Sequence, residues 1–142
     1  MKIETYSPEE TFALGKSMGE KASPGQIICL NGDLGTGKTV FTQGFAAGLG
    51  IRGPVNSPTF TILRQYENGR LPLYHFDLYR MEEEEELWEI GFDEALRGDG
   101  VCLIEWAERF PEAIPADAVQ IQILKEPEKG FDYRQITICG ET

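Results

Sequence analysis

A pattern suited to binding phosphate lies between residues 32 and 39, where the sequence reads GDLGTGKT. Glycines let successive backbone N–H groups converge on phosphate oxygens without a Cβ in the way. In such a loop Lys38 would reach the β- and γ-phosphates, and the Thr39 hydroxyl would bind Mg²⁺. The spacing G-x-x-x-x-G-K-T therefore predicts a P-loop for a nucleoside triphosphate.

The segments on either side of this loop have the periodicities that a P-loop needs. Residues 26–30, QIICL, are typical of a buried strand, and residues 39–49 are typical of a helix with Phe41, Phe45 and Leu49 on one stripe. The helix adds the positive end of its dipole to the phosphate site. Strand, loop and helix come in the required order, which makes a chance match a poor explanation.

Two acidic residues follow strand-like runs and could hold Mg²⁺ directly or through water. Glu105 comes after the apolar residues 101–104, VCLI, in the pattern of a Walker B strand. Asp77 comes after residues 73–76, LYHF, a run that is less uniformly apolar. The alternative for either residue is a solvated carboxylate that merely ends a strand. The purer apolar run favours Glu105 as the direct ligand.

Three further features have both a functional and an ordinary interpretation. Residues 56–61, NSPTFT, carry hydroxyls that could sense a γ-phosphate or a metal, although Ser-Pro-Thr also describes a turn. His75 alone is more typical of a packed or hydrogen-bonded histidine than of a catalyst. The acidic residues 82–86 are typical of a solvated first helical turn, with a surface for partner docking as the alternative.

Composition limits the classes of protein to consider. The 142 residues suffice for one domain, and no apolar run approaches the ~20 residues of a membrane span. The net charge of −11, from 24 acidic and 13 basic residues, opposes direct binding to a nucleic-acid backbone. The N-terminus lacks a secretory pattern, and three separated cysteines in apolar stretches indicate reduced core thiols. We therefore expect a cytoplasmic protein that would serve RNA only through partners.

The coarse order of elements predicts an α/β fold. Residues 2–6 could form a short edge strand, and Ser7, Pro8 and Glu10 form the start of a helix that runs to about residue 22. Hairpins are predicted at 60–66 with 71–79, around an Asn-Gly turn, and at 119–124 with 135–139. A helix is predicted over 87–96. One P-loop domain, residues 1–142, would have a central mixed sheet flanked by helices, with the P-loop strand at its centre.

Five stretches together resemble the TsaE (YjeE) family, the small ATPase of bacterial tRNA threonylcarbamoyladenosine biosynthesis. They are GDLGTGKT at 32–39, SPTFTI at 57–62, HFDLYR at 75–80, E-x-G-F at 89–92 and IEWAE at 104–108. They occur in the order and with the spacing of the family and cover nearly the whole chain. Any one of these motifs is modest evidence, but five in order are specific.

The resemblance implies a role for each matching position. Asp33, Leu34, Gly35, Thr36, Gly37, Lys38 and Thr39 would bind the triphosphate of ATP, and Thr39 with Glu105 would hold Mg²⁺. Asp77 would act behind the metal ligands or position water, so that Lys38, Asp77 and Glu105 form the catalytic set. Thr59 and Thr61 would form a switch-like segment, Trp106 would buttress the site, and Thr11 and Arg134 would contact the base side. The implied partners are the TsaD and TsaB homologues, with tRNA reached only through their complex.

The leading hypothesis is a slow, Mg²⁺-dependent ATPase that acts as the motor or switch of a tRNA-modification complex. One alternative is a P-loop small-molecule kinase, although 142 residues leave little room for an acceptor pocket and a lid. A second alternative is a nucleotide-gated binding module without turnover. A GTPase is disfavoured because none of Asn31, Asn56 and Asn68 is followed by the Lys of an N-K-x-D motif.

Overall fold

The computed structural model describes residues 1–33, 35–55 and 62–140. Within these ranges the chain forms one seven-stranded sheet with four α-helices and three short 3₁₀ helices. The strands are β1 (Lys2–Thr5), β2 (Ile27–Asn31), β3 (Leu63–Tyr66), β4 (Leu73–Asp77), β5 (Val101–Glu105), β6 (Val119–Lys125) and β7 (Arg134–Cys139). The helices are α1 (Pro8–Lys21), α2 (Lys38–Gly48), α3 (Glu85–Glu89) and α4 (Phe92–Arg97).

The sheet is mixed, with strand order β1-β7-β6-β2-β5-β4-β3. The four inner strands β6, β2, β5 and β4 run parallel. At the two sides β7 and β3 pair antiparallel with β6 and β4, and β1 pairs antiparallel with β7. The prediction of a central P-loop strand is confirmed, since β2 is fourth of seven. Parallel strands end at a common edge, so the loop after β2 lies beside the ends of β5 and β4.

Two apolar clusters cover the two faces of the sheet. Alternate residues of β2 point to opposite sides: Ile28 and Leu30 join the cluster under α2, while Cys29 joins the cluster under α3 and α4. The predicted stripe Phe41, Phe45 and Leu49 is fully buried in the first cluster. Packing of α2 on β2 therefore fixes where the intervening loop can lie.

Helix α1 packs on α2 at backbone contact distance through glycines. A Cβ at Gly44 would lie 2.1 Å from the carbonyl oxygen of Phe12, and one at Gly15 would lie 2.4 Å from that of Phe41. At the start of α1 the Ser7 hydroxyl accepts from the Glu10 N–H at 3.2 Å, as the capping pattern predicts. The close packing places the first turn of α1 next to the first turn of α2.

Two sequence-based predictions are wrong in detail. The helix predicted over 87–96 is interrupted, because Gly91 has φ 79° and this left-handed conformation separates α3 from α4. Cys139 is exposed, whereas Cys29 and Cys102 are buried as expected. Burial raises the pKa of Cys29 to about 11 and that of Cys102 to about 12, so both remain thiols.

No helix in the described ranges is long and apolar enough to cross a membrane.

Candidate nucleotide-binding site

The loop between β2 and α2 has the backbone conformation that its glycines predict. Gly35 and Gly37 have φ values of 77° and 102°, a left-handed region that residues with a Cβ rarely occupy. Gly37 is the N-cap of α2, and no side chain caps the first N–H groups of that helix. These N–H groups and the helix dipole suit an anion at this end of α2. Asp33 and Gly35 are exposed, and Leu34 lies outside the described residues.

Lys38 is the buried cation of the site. Its Nζ donates to the carbonyl oxygen of Gly32 at 2.7 Å and lies 3.6 Å from Oε1 of Glu105. The same ammonium lies 4.6 Å from the centroid of the Trp106 ring. The side chain of Lys38 is 8% exposed, so its charge acts in a poorly solvated environment where electrostatic interactions are strong.

Glu105 ends β5 and is held between a cation and an imidazole. Its Oε2 lies 2.6 Å from Nε2 of His75, while Oε1 faces Lys38. Burial would raise the pKa of Glu105, but the hydrogen bond and charge interaction with His75 and the charge of Lys38 outweigh burial and lower that pKa. The result is a buried carboxylate that stays ionised, as a direct metal ligand must.

Asp77 ends β4 in register with Glu105 on the adjacent parallel strand. It is partly exposed, and its Oδ1 accepts from the Tyr79 N–H at 3.0 Å. Partial burial is the largest influence on the pKa of Asp77 and raises it, with the negative charge of Glu105 acting in the same direction. The Tyr79 N–H opposes this shift without reversing it.

Trp106 lies directly after Glu105 and adopts a left-handed backbone conformation with φ 61°. It is the one non-glycine residue with positive φ in the described part of the chain. Its ring packs against Tyr79 at 4.8 Å between centroids and also contacts the ammonium of Lys38. The buttressing role that the resemblance implies for Trp106 stays a prediction.

Two cavities adjoin the loop. A cavity of about 50 Å³ is lined by Pro8, Thr11, Thr36, Gly37, Val40, Asp132 and Arg134. Here Nε of Arg134 donates to the Thr36 carbonyl at 2.6 Å, and the Thr11 and Thr5 hydroxyls are 2.8 Å apart. A larger cavity of about 730 Å³ opens beside Gly32, Asp33 and Trp106 and extends along the β6 face. The structure thus brings Thr11 and Arg134 together beside the start of α2.

The metal-binding prediction depends on few protein ligands. Within residues 1–33, 35–55 and 62–140 no group of three or more His, Cys, Asp or Glu could hold a metal ion. Glu105 supplies one buried carboxylate, and Thr39 is exposed in the first turn of α2. This donor set fits Mg²⁺ that is bound together with nucleotide phosphates, because Mg²⁺ in such sites takes only one or two carboxylates. Thr59 and Thr61 lie outside the described residues.

One partner in the site, the contact of His75 with Glu105, was not predicted from the sequence. The interpretation as a hydrogen-bonded histidine was right, but its contact with Glu105 was not foreseen. The available signal was its position two residues before Asp77, which puts both side chains on one face of β4. That Glu105 lies beside this face depends on the pairing of β4 with β5.

Comparisons with known proteins show what this chain is similar to. The family model of the threonylcarbamoyl adenosine biosynthesis protein TsaE matches residues 5–136. A tRNA threonylcarbamoyladenosine biosynthesis protein TsaE from Bacillus subtilis is 52% identical over 140 residues, 99% of this chain and 85% of that protein. One from Treponema pallidum is 42% identical over 123 residues, 87% of this chain and 90% of the relative. The crystal structure of Bacillus subtilis YdiB aligns with TM-score 0.83 and 46% identity, over 97% of this chain and 83% of that one.

Proposed function

Because this chain belongs to the TsaE family of threonylcarbamoyl adenosine biosynthesis proteins, we propose that it binds and hydrolyses ATP with Mg²⁺. In this proposal the hydrolysis drives or switches the TsaD and TsaB homologues that form N6-threonylcarbamoyladenosine in tRNA. The P-loop residues 33–39 would hold the triphosphate, and Thr39 with Glu105 would hold the metal. Thr11 and Arg134, which line one cavity beside the loop, would contact the base side.

One observation carries the proposal: an ionised carboxylate, Glu105, lies within 3.6 Å of the P-loop ammonium of Lys38 at the uncapped start of α2. A purely structural ion pair at this point would be a costly arrangement, because two charges must be desolvated. A triphosphate with Mg²⁺ needs these two charges, one for the phosphate oxygens and one for the metal.

Each residue then has a task in phosphoryl transfer to water. Lys38 would turn from the Gly32 carbonyl and Glu105 toward the β- and γ-phosphates and offset the charge that develops there. Bound Mg²⁺ would supply charge neutralisation at the phosphate oxygens. Asp77, whose pKa is raised, would orient the attacking water or accept its proton. The rings of Trp106 and Tyr79 would shield Lys38 from bulk water.

Charge favours an indirect route to tRNA. A net charge of −11 offers little release of counterions on binding a nucleic-acid backbone. The substrate tRNA would therefore be held by the partner complex. This chain would bind the partners best when ATP is bound, since a switch must have different affinities for its partners in its two nucleotide states.

The experiment is a retention assay with immobilised chain and purified TsaB and TsaD homologues in ADP, a non-hydrolysable ATP analogue or no nucleotide. We expect the analogue to retain the partners best and the partners to raise ATP turnover. Equal retention in all three conditions would remove the switch. Filter binding of tRNA to the isolated chain should be weak at physiological salt, and submicromolar binding would contradict the charge argument.

A further inference from the structure

His75 is the only histidine of the chain, and it is fully buried in β4. It pairs in register with Leu103 of β5, one alternate position before the pair formed by Asp77 and Glu105. Its ring therefore lies on the face of the sheet that carries Glu105, and Nε2 reaches Oε2 at 2.6 Å. The contact joins two neighbouring strands inside the candidate site.

The direction of this hydrogen bond follows from the chemistry of its partners. An ionised carboxylate can only accept, so the proton must be on Nε2 of His75. Nδ1 of the same ring is buried and has no hydrogen-bond partner among the described residues. An unsatisfied buried polar atom destabilises the fold, so a histidine that served only packing would be disfavoured here. Nε2, the ring nitrogen that does form a hydrogen bond, is paired with Glu105.

The contact of Glu105 with Lys38 cannot orient the carboxylate while nucleotide is bound. Lys38 faces Oε1 at 3.6 Å, but the proposed function requires this ammonium at the phosphates. When Lys38 turns away, His75 is the side chain that still fixes the carboxylate. Asp77, the acidic neighbour in register, would repel Glu105 when ionised and cannot orient it.

We propose that His75 is the positioning residue of the metal-binding carboxylate, an inference that rests on the proposed function. Its Nε2–H holds Oε2 of Glu105, so that Oε1 points toward Lys38 and the start of α2. Partners behind a metal ligand commonly contribute 10–100-fold to metal affinity, because they fix the orientation of the ligand. His75 would act through Glu105 and need not touch nucleotide or metal.

The first test locates the proton on the His75 ring in the wild-type protein. In tag-free protein labelled with ¹⁵N-histidine, His75 gives the only imidazole signals, since the chain contains one histidine. A long-range ¹H–¹⁵N spectrum should show a proton fixed on Nε2 of His75, the nitrogen that donates to Glu105. A ring protonated at Nδ1 alone, or one that averages between tautomers, would overturn the inference.

The second test compares two amides at position 75. His75→Gln can place its amide NH₂ near the position of Nε2, whereas the shorter His75→Asn cannot reach Glu105. Apparent Mg²⁺ affinity is titrated in the presence of a fluorescent, non-hydrolysable ATP analogue, and analogue affinity is measured separately in EDTA. We expect Asn to weaken Mg²⁺ binding by about tenfold or more and Gln by clearly less, with similar affinities in EDTA.

A matched control separates positioning from general destabilisation. Leu73→Ala removes a buried side chain from the same strand and face, away from Glu105, and should lower the melting temperature without changing the Mg²⁺ titration. Equal Mg²⁺ affinity in the wild type and the Asn variant would overturn the positioning role of His75 and leave the proposed function standing. A wild type without Mg²⁺-dependent nucleotide binding would remove the proposed function and this inference together.

Discussion

Asp77 and Glu105 lie in register at the ends of two neighbouring parallel strands, and their surroundings shift the pKa values of the two carboxyl groups in opposite directions. His75 and Lys38 keep Glu105 ionised. At Asp77, partial burial and the negative charge of Glu105 raise the pKa, and they outweigh the Tyr79 N–H and the charges of His75 and Lys38, which lower it. Two similar groups with separated pKa values can take different tasks at one site. Glu105 suits metal binding, and Asp77 suits the handling of water.

The first prediction separates these two tasks. Glu105→Gln keeps the shape of the side chain but removes the charge that holds the metal, so we expect Mg²⁺-dependent nucleotide binding to weaken by at least about tenfold. Asp77→Asn should weaken it less and reduce turnover instead. Mg²⁺ titrations of nucleotide binding would check the order, and the reverse order would mean that Asp77 is the direct ligand.

The second prediction concerns the dependence of stability on pH. The raised pKa of Asp77 means that its ionised form costs stability, and this cost is present at neutral pH and vanishes as pH falls below the ordinary value of about 3.9. Asp77→Asn should therefore be as stable as the wild type at neutral pH or more stable, with the difference disappearing in acid. Urea unfolding at several pH values would measure this, and a destabilised Asn variant at neutral pH would contradict it.

Glu105→Gln gives the opposite sign. The lowered pKa of Glu105 stabilises the fold above the ordinary value of about 4.3, and this contribution is lost as pH falls through the folded value. We expect Glu105→Gln to be less stable by about 1–3 kcal/mol at neutral pH, since a hydrogen bond to a charge is lost. The wild type should approach the variant in acid, and a constant gap at all pH values would contradict this cause.

The third prediction concerns the packing of α1 on α2. Gly44→Ala would place a Cβ 2.1 Å from the Phe12 carbonyl oxygen, and backbone on both helices must move, so we expect a loss of about 3 kcal/mol or more in the free energy of unfolding. Gly98→Ala is the control, because its Cβ would have no neighbour closer than 3.4 Å and Gly98 has φ −83°. Equal urea midpoints for the two variants would show that the helices pack less closely.

The fourth prediction uses the contact of Lys38 with Trp106. The chain has two tryptophans, and Trp88→Phe leaves Trp106 as the single reporter. If Lys38 leaves the ring to bind phosphate, the cation–π contact at 4.6 Å is lost and the emission of Trp106 should change when the ATP analogue and Mg²⁺ are added. Trp106→Phe should remove the response. Unchanged emission of the Trp88→Phe protein under saturating analogue would contradict the movement of Lys38.

Local sequence patterns predicted the parts of this structure that depend on local geometry. The P-loop strand, the start of α1 at Ser7 and both hairpins follow from periodicity, capping and turn residues over short spans. The break at Gly91 was missed because apolar spacing continues across it and one left-handed glycine decides the outcome. Cys139 was misjudged because an alternating strand does not reveal whether anything covers its outer face.

The contact of His75 with Glu105 lies beyond such reasoning, since the two residues are 30 positions apart and meet through strand pairing. The sequence favoured Glu105 as the buried carboxylate, but the partners that set its pKa depend on which strand lies beside β5. Non-local register, rather than residue type, decides that part of the site.

The central claim is that Lys38 serves ATP hydrolysis, and the most direct measurement is phosphate release from ATP with Mg²⁺ by wild type and Lys38→Ala. Removing the ammonium should lower turnover at least about a hundredfold, because the charge on the β- and γ-phosphates loses its counter-charge. Circular dichroism would verify folding, and Lys21→Ala, at an exposed lysine in the last turn of α1, is the matched control. The wild type and Lys21→Ala should hydrolyse ATP equally, and unchanged hydrolysis by a folded Lys38→Ala would contradict the account.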